Sequence, residues 1–183
     1  MAKIFIFIFS GFLFLLSGKE ISPDIKKKII DLEKSNDHKN LIIVLEKSVI
    51  YSESDINLKL KLARLYLYRN DLSSPRLEDD IFVRNEKFEK LRENLQKAST
   101  LLGYVRKEIE SRTPNSTELS KLYFQEATAE FYLKNYLKSE TLFKKAMRLD
   151  PKLKQITSHN IGLIQLERNL EKQGIISLEG SIE

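Results

Sequence analysis

The side chains with the widest chemical reach in this chain are two histidines, His38 and His159, because an imidazole can ligate a metal or move a proton near neutral pH. Neither has the paired spacing or the adjacent carboxylates that a metal centre or an activated nucleophile needs. There is no cysteine to supply a thiolate or a disulfide framework. Glu126 and Glu130 stand four apart on one helical face, but in a chain that is 31% charged they read as solvated helix surface. No glycine-rich phosphate loop occurs, and Gly162 reads as a small residue at a helix contact. Asn115-Ser116-Thr117 matches a glycosylation sequon, which matters only in a eukaryotic secretory pathway. No catalytic residue, metal ligand or cofactor is assigned, and the chain reads as non-enzymatic.

What the sequence does carry is a period. Ile29, Leu32, Asn36 and Asp37 recur as Ala63, Tyr66, Asn70 and Asp71, and Ala127, Thr128, Asn135 and Tyr136 recur as Ile161, Gly162, Asn169 and Leu170, each 34 positions later. A fixed period of this size marks a helical repeat array. Helix periodicity with start and stop signals places helices at 23–34, 39–51, 55–69, 85–111, 116–133, 136–148, 152–167 and 171–182. Only 6 Gly and 4 Pro punctuate 183 residues, and the prolines fall between helices.

The third unit is the clearest. Phe124, Ala127, Thr128 and Phe131 share one helical face, the turn passes Asn135 and Tyr136, and Ser139, Phe143 and Ala146 lead to Leu149-Asp150-Pro151. This resembles the tetratricopeptide repeat, in which small residues let two antiparallel helices touch while aromatics fill the space around them. Leu62-Ala63-Arg64-Leu65-Tyr66 carries the first half of the same pattern in the second unit, with the turn Asn70-Asp71-Leu72. The third and fourth units read one residue short at the turn, and His38 stands where the family places an aromatic. The resemblance implies an all-α, right-handed superhelix of about four antiparallel hairpins, with units near 22–55, 56–113, 119–152 and 153–183.

The second unit is irregular. Ala63 and Thr128 are 65 positions apart, so roughly 31 residues have been added to one repeat. Part reads as a loop, Ser73 to Arg84, with the acidic cluster Glu78-Asp79-Asp80. Part reads as a lengthened central helix over 85–111. There Phe88, Leu91, Leu95, Ala98, Leu102, Val105 and Ile109 follow a 3-4-3-4 spacing, the seam of a coiled coil. That seam packs either on the neighbouring repeats or on a second chain, and Gly103 within it marks a candidate bend.

Lys3, the apolar run Ile4 to Leu16 and the small pair Ser17-Gly18 make residues 1–18 a signal peptide or an uncleaved N-terminal anchor. At about 1.5 Å per residue the run spans roughly 20 Å, short of the roughly 30 Å of a bilayer core. The domain proper is then 19–183, exported and periplasmic or envelope-associated, and the Lys, Ile and Asn usage is of the kind that AT-rich bacterial genomes encode. Net charge is +5, with Lys26-Lys27-Lys28 near the start, which suits an anionic membrane or an acidic partner as well as a solvated face. Nucleic acid is not expected in that compartment.

The family resemblance implies that a peptide or protein partner binds in the concave groove lined by the first helix of each hairpin. Residues expected to face away from the packing stripe there are Leu60, Arg64, Leu67, Tyr68, Gln125, Ala129 and Tyr132. The function expected is that of a scaffold or adaptor of the cell envelope. The alternative is a structural subunit that forms a homo-oligomer through the long helix. Association of the N-terminus with a membrane surface is a further option.

Overall fold

The computed structural model describes residues 20–69 and 80–181, and the described residues form helices, turns and no strand. The N-terminal run 1–18, the turn Asn70-Asp71-Leu72 and the acids Glu78 and Asp79 lie outside the described residues. Among the described residues eight α-helices follow one another: α1 (Pro23–Lys34), α2 (His38–Tyr51), α3 (Ile56–Tyr68), α4 (Ile81–Arg112), α5 (Thr117–Tyr132), α6 (Tyr136–Leu149), α7 (Lys154–Glu167) and α8 (Glu171–Glu179). Consecutive helices pack as pairs, and α4 packs against both α3 and α5.

The boundaries follow from local chemistry. Ser22, Asp37, Asp55 and Ser116 each turn a side-chain oxygen onto a backbone N–H of the first helical turn, and Pro23 stands where a missing N–H costs nothing. Within three hairpins the turn is the same: a right-handed residue, a left-handed one, then the N-cap. The left-handed residues are Asn36 (φ 54°), Lys134 (φ 62°) and Asn169 (φ 59°).

That turn corrects the register read from the sequence. Lys134, not Asn135, is equivalent to Asn169, so the third and fourth units are 35 residues apart rather than 34. First helices end at Lys34, Tyr68, Tyr132 and Glu167, intervals of 34, 64 and 35 residues. Ala63 is therefore matched by Ala127, not by Thr128, and the insertion is 30 residues long. Identity matching failed because asparagine tolerates the left-handed backbone and serves as N-cap equally well, and here it does one job in one turn and the other in the next.

Close contacts recur at the same 35-residue interval. Ser139 Oγ donates to the Ala127 carbonyl at 2.7 Å in the third hairpin. In the fourth, the equivalent positions are Gly162 and Gly174. A Cβ on Gly162 would sit 2.7 Å from Leu178 Cγ and 3.0 Å from the Gly174 carbonyl oxygen. One on Gly174 would sit 2.8 Å from Leu166 and 3.1 Å from the Gly162 carbonyl.

The lengthened helix starts at Ile81, four residues before the expected Asn85. The carboxylate of Asp80 accepts the N–H groups of Phe82 and Val83, both at 2.9 Å, so an acid read as part of a loop is an N-cap. Residues 81–84 are the first turn of α4, not loop. The helix runs unbroken through Gly103. Of its seam, Leu95, Ala98, Leu102 and Val105 are buried, with Leu91 and Ile109 packed at the edge; Phe88 is the exposed position.

Two apolar clusters hold the array. One joins α1 to α4 and takes Leu122 and Ala129 from α5; the other joins α5, α6 and α7 around Phe143, Ala146 and Ile164. Helix α5 contributes to both. Because alanine favours helix over glycine by about 1 kcal/mol, Gly174→Ala would stabilise an open helix. Here the overpacked contact wins, and we expect a net loss of about 1 to 2 kcal/mol in urea unfolding. A raised or unchanged midpoint would remove the close approach.

Candidate functional site

The seven residues expected to line a groove divide by burial. Leu60, Leu67 and Ala129 are 9%, 2% and 0% exposed and belong to the first apolar cluster, so they do not face away from the packing. The expectation assumed that a first helix buries one stripe. Helix α3 instead packs against both α2 and α4 and meets α5 in the same cluster, and Leu58, Leu60, Leu62, Leu65 and Leu67 are all buried.

The other four gather at one place. Arg64 on α3 donates from Nε to Gln125 Oε1 on α5 at 3.5 Å, a long contact. Tyr68, one turn on, also hydrogen-bonds Gln125, and Tyr132 lies within electrostatic reach of Tyr68. Tyr68 and Tyr132 are 39% and 46% exposed, and the Tyr132 ring stacks edge-on against Phe131 at 5.6 Å. Burial pulls Arg64 below its ordinary range, against the opposing influence of Tyr68 and Glu118. Burial likewise raises Tyr68. Among the described residues no carboxylate reaches ion-pair distance of Arg64, so most of its five N–H donors are uncommitted.

Behind this face lies a polar cluster that the sequence reading missed. Glu126 and Glu130, expected on solvated surface, are 1% and 3% exposed. Arg106 on α4 donates to Glu126 at 2.6 Å and, through Nη1, to Glu110 at 2.9 Å; Glu110 in turn accepts from the Tyr123 hydroxyl at 2.6 Å. Lys138 on α6 reaches Glu130 at 2.7 Å and Glu126 at 3.4 Å. Asn135 donates to Glu130 at 2.6 Å, and Ser99 on α4 adds a further hydrogen bond. Gly103 is not a bend: its absent side chain faces the Glu126 carboxylate, which a Cβ would meet at 3.4 Å. A glycine inside a long helix was the signal that could have exposed this site.

The electrostatics follow. Burial by itself would raise Glu130, but hydrogen bonds from Lys138, Ser99 and Asn135 overcome it and hold the carboxyl below its usual range. Tyr123 is pushed up to about 12 by burial and by its bond to Glu110. The hydrogen bonds from Arg106 and Ser99 on α4 and from Lys138 on α6 to acids of α5 clamp the three helices together. His38 is partly buried at the start of α2, and neither ring nitrogen has a partner among the described residues. No group of His, Cys, Asp or Glu suited to a metal ion is found among the described residues.

Because the folded pKa of Glu130 lies below its reference of 4.5, its contribution to stability is present above that pH and is lost as pH falls through the folded value. Glu130→Gln should cost about 1 to 3 kcal/mol at pH 7, from a buried carboxylate's lost hydrogen bonds. Its unfolding free energy should also fall less steeply than the parent's between pH 6 and 3. Parallel curves for the two proteins would show that Glu130 is not held ionised by the fold.

No protein-family model matches the chain, and none of the curated proteins does. Among solved structures it is similar to MamA, at 13% identity over 83% of this chain and 91% of that one, with a TM-score of 0.43. A second MamA structure gives 12% over 87% and 88%, with a TM-score of 0.45. It is also similar to YrrB, a TPR protein with an unusual peptide-binding site, at 13% over 90% and 86%, with a TM-score of 0.42. The chain's own helix pairs, recurring three-residue turns and first-helix ends at intervals of 34, 64 and 35 residues are those of a tetratricopeptide-like array of helical hairpins.

Proposed function

We propose that this protein is a non-enzymatic interaction scaffold that holds a peptide or protein segment on the face shared by α3 and α5. The observation that carries the reading is Arg64: a partly buried guanidinium held by Gln125, with half-exposed Tyr68 beside it and Tyr132 near Tyr68, and with no carboxylate at ion-pair distance among the described residues. Such a group has already lost much of its water and gains most from an incoming carboxylate, bound in a two-pronged geometry that lysine cannot match. Tyr68 and Tyr132 supply large, stiff contact area beside it. The partner segment therefore presents an acidic side chain or a free C-terminal carboxylate, and Gln125 fixes the guanidinium that receives it.

An array of immobilised random 12-residue peptides, probed with the full chain, tests this. Captured peptides should be enriched in Asp, Glu or a free C-terminus. Arg64→Ala should weaken capture by at least about tenfold, the scale of a lost charge-assisted hydrogen bond, with the melting midpoint unchanged. Capture that ignores peptide charge, or survives the substitution, would reject the site.

The compartment we propose is the bacterial cell envelope, on the strength of the 1–18 segment. Export with cleavage predicts a mature chain that begins near Lys19 in an extracytoplasmic fraction; retention as an anchor predicts the whole chain in the membrane fraction. A full-length chain in the cytosol would end both. Assembly through the long helix is the weaker reading, because its seam from Leu95 to Val105 is buried within the chain.

A further inference from the structure

Helix α2 turns outward a stripe that its own array does not use. Lys39, Ile43, Lys47, Ile50 and Tyr51 follow one another at about one turn and are all exposed, Ile50 at 72% and Tyr51 at 77%. The opposite side, Leu41, Leu45 and Ser48, is buried in the hairpin. The sole acid of the helix, Glu46, is drawn inward: it accepts a hydrogen bond from the Tyr66 hydroxyl on α3 and lies 3.6 Å from Lys97 Nζ on α4. The outward stripe thus presents two lysines, two isoleucines and a tyrosine, without a negative charge.

We propose that this stripe docks on an anionic lipid surface. Isoleucine side chains immersed at the level of the headgroups give up water, lysines flanking them meet lipid phosphates, and a tyrosine suits the boundary with its apolar ring and polar tip. The position in the chain agrees. Six residues separate Leu16, the end of the apolar run, from Pro23, the start of α1, which makes seven Cα-to-Cα steps. Fully extended they reach roughly 25 Å, so a run held in a bilayer keeps the first hairpin beside its surface and raises the local concentration of the stripe there. In that respect the proposal rests on the envelope reading above.

The chain has no tryptophan, so Tyr51→Trp gives a single reporter. The full-length variant would be mixed with vesicles of phosphatidylglycerol, or of phosphatidylcholine alone, with and without brominated acyl chains. On phosphatidylglycerol the emission should shift to shorter wavelength and be quenched by bromine, and both effects should weaken as salt is raised. Adding Lys39→Gln and Lys47→Gln should abolish the shift while the chain still floats with the vesicles. Flotation of the reporter variant with unshifted tryptophan emission overturns the proposal alone; failure to float overturns it together with the anchored reading. A shift that needs no vesicles and grows with protein concentration would assign the stripe to a second copy and overturn it as well.

Discussion

Two carboxylates on α5 are almost wholly out of water, and the rest of the array is arranged so that they can be. An ionised acid moved into the protein interior carries a penalty of several kcal/mol unless cations and donors reach it. Glu126 and Glu130 lie one turn apart, so the elements on either side must bring donors at matching heights. Ser99, Gly103 and Arg106 form one stripe on α4 that does so: two donors, with a glycine between them where the carboxylate comes closest. Lys138 and Asn135 do the same from the start of α6. Position and angle between the second and third hairpins are therefore specified by directional hydrogen bonds of 2.6 to 2.7 Å, which aliphatic packing alone would leave looser.

That specification reaches the exposed face. Arg64 and Gln125 meet only if α3 and α5 sit side by side at the right height, and α4 packs against both. The inserted residues lengthen α4 and give the second hairpin a backing helix of 32 residues where its neighbours have 14. The seam that resembles a coiled coil is spent inside the chain, on α3 and α5. The packing lies in the second half of the helix: buried residues begin at Leu95, while Ile81, Phe82 and Phe88 near its start are exposed.

Much of the fold was legible because helix ends are written locally. Pro23, Asp37, Asp55, Ser116 and Pro151 fix their boundaries through groups within three residues, and the helices they bound are those expected from the sequence to within a residue or two. The start of α4 was not legible, since Asp80 in an acidic cluster looks the same as a cap and as a loop residue until its neighbours' N–H groups are located. Nor was the inside of the array. Leu60, Leu67 and Ala129 were placed outward by a rule that gives each helix one buried stripe, whereas α3 and α5 are enclosed on several sides. Glu126 and Glu130 were read as surface because the residues that neutralise them, Arg106 and Lys138, are distant in sequence or on another helix. Arg64, Tyr68 and Gln125 meet on one partly exposed face with Tyr132 near Tyr68, a proximity between two units that helical spacing within each could suggest but not fix.

The claim that a buried charge clamp joins the second and third hairpins is tested most directly by a double-mutant cycle between Arg106 and Glu126, read in urea unfolding at pH 7. Arg106→Met and Glu126→Gln should each be destabilising, because each removes the 2.6 Å contact from a buried partner that keeps only a longer one, Glu126 to Lys138 at 3.4 Å and Arg106 to Glu110 at 2.9 Å. The double variant should recover part of that loss, giving a coupling of about 1.5 to 3 kcal/mol. Additive effects, with a coupling within about 0.3 kcal/mol of zero, would show that the two side chains are neighbours without being partners and that the hairpins are joined by their apolar contacts alone.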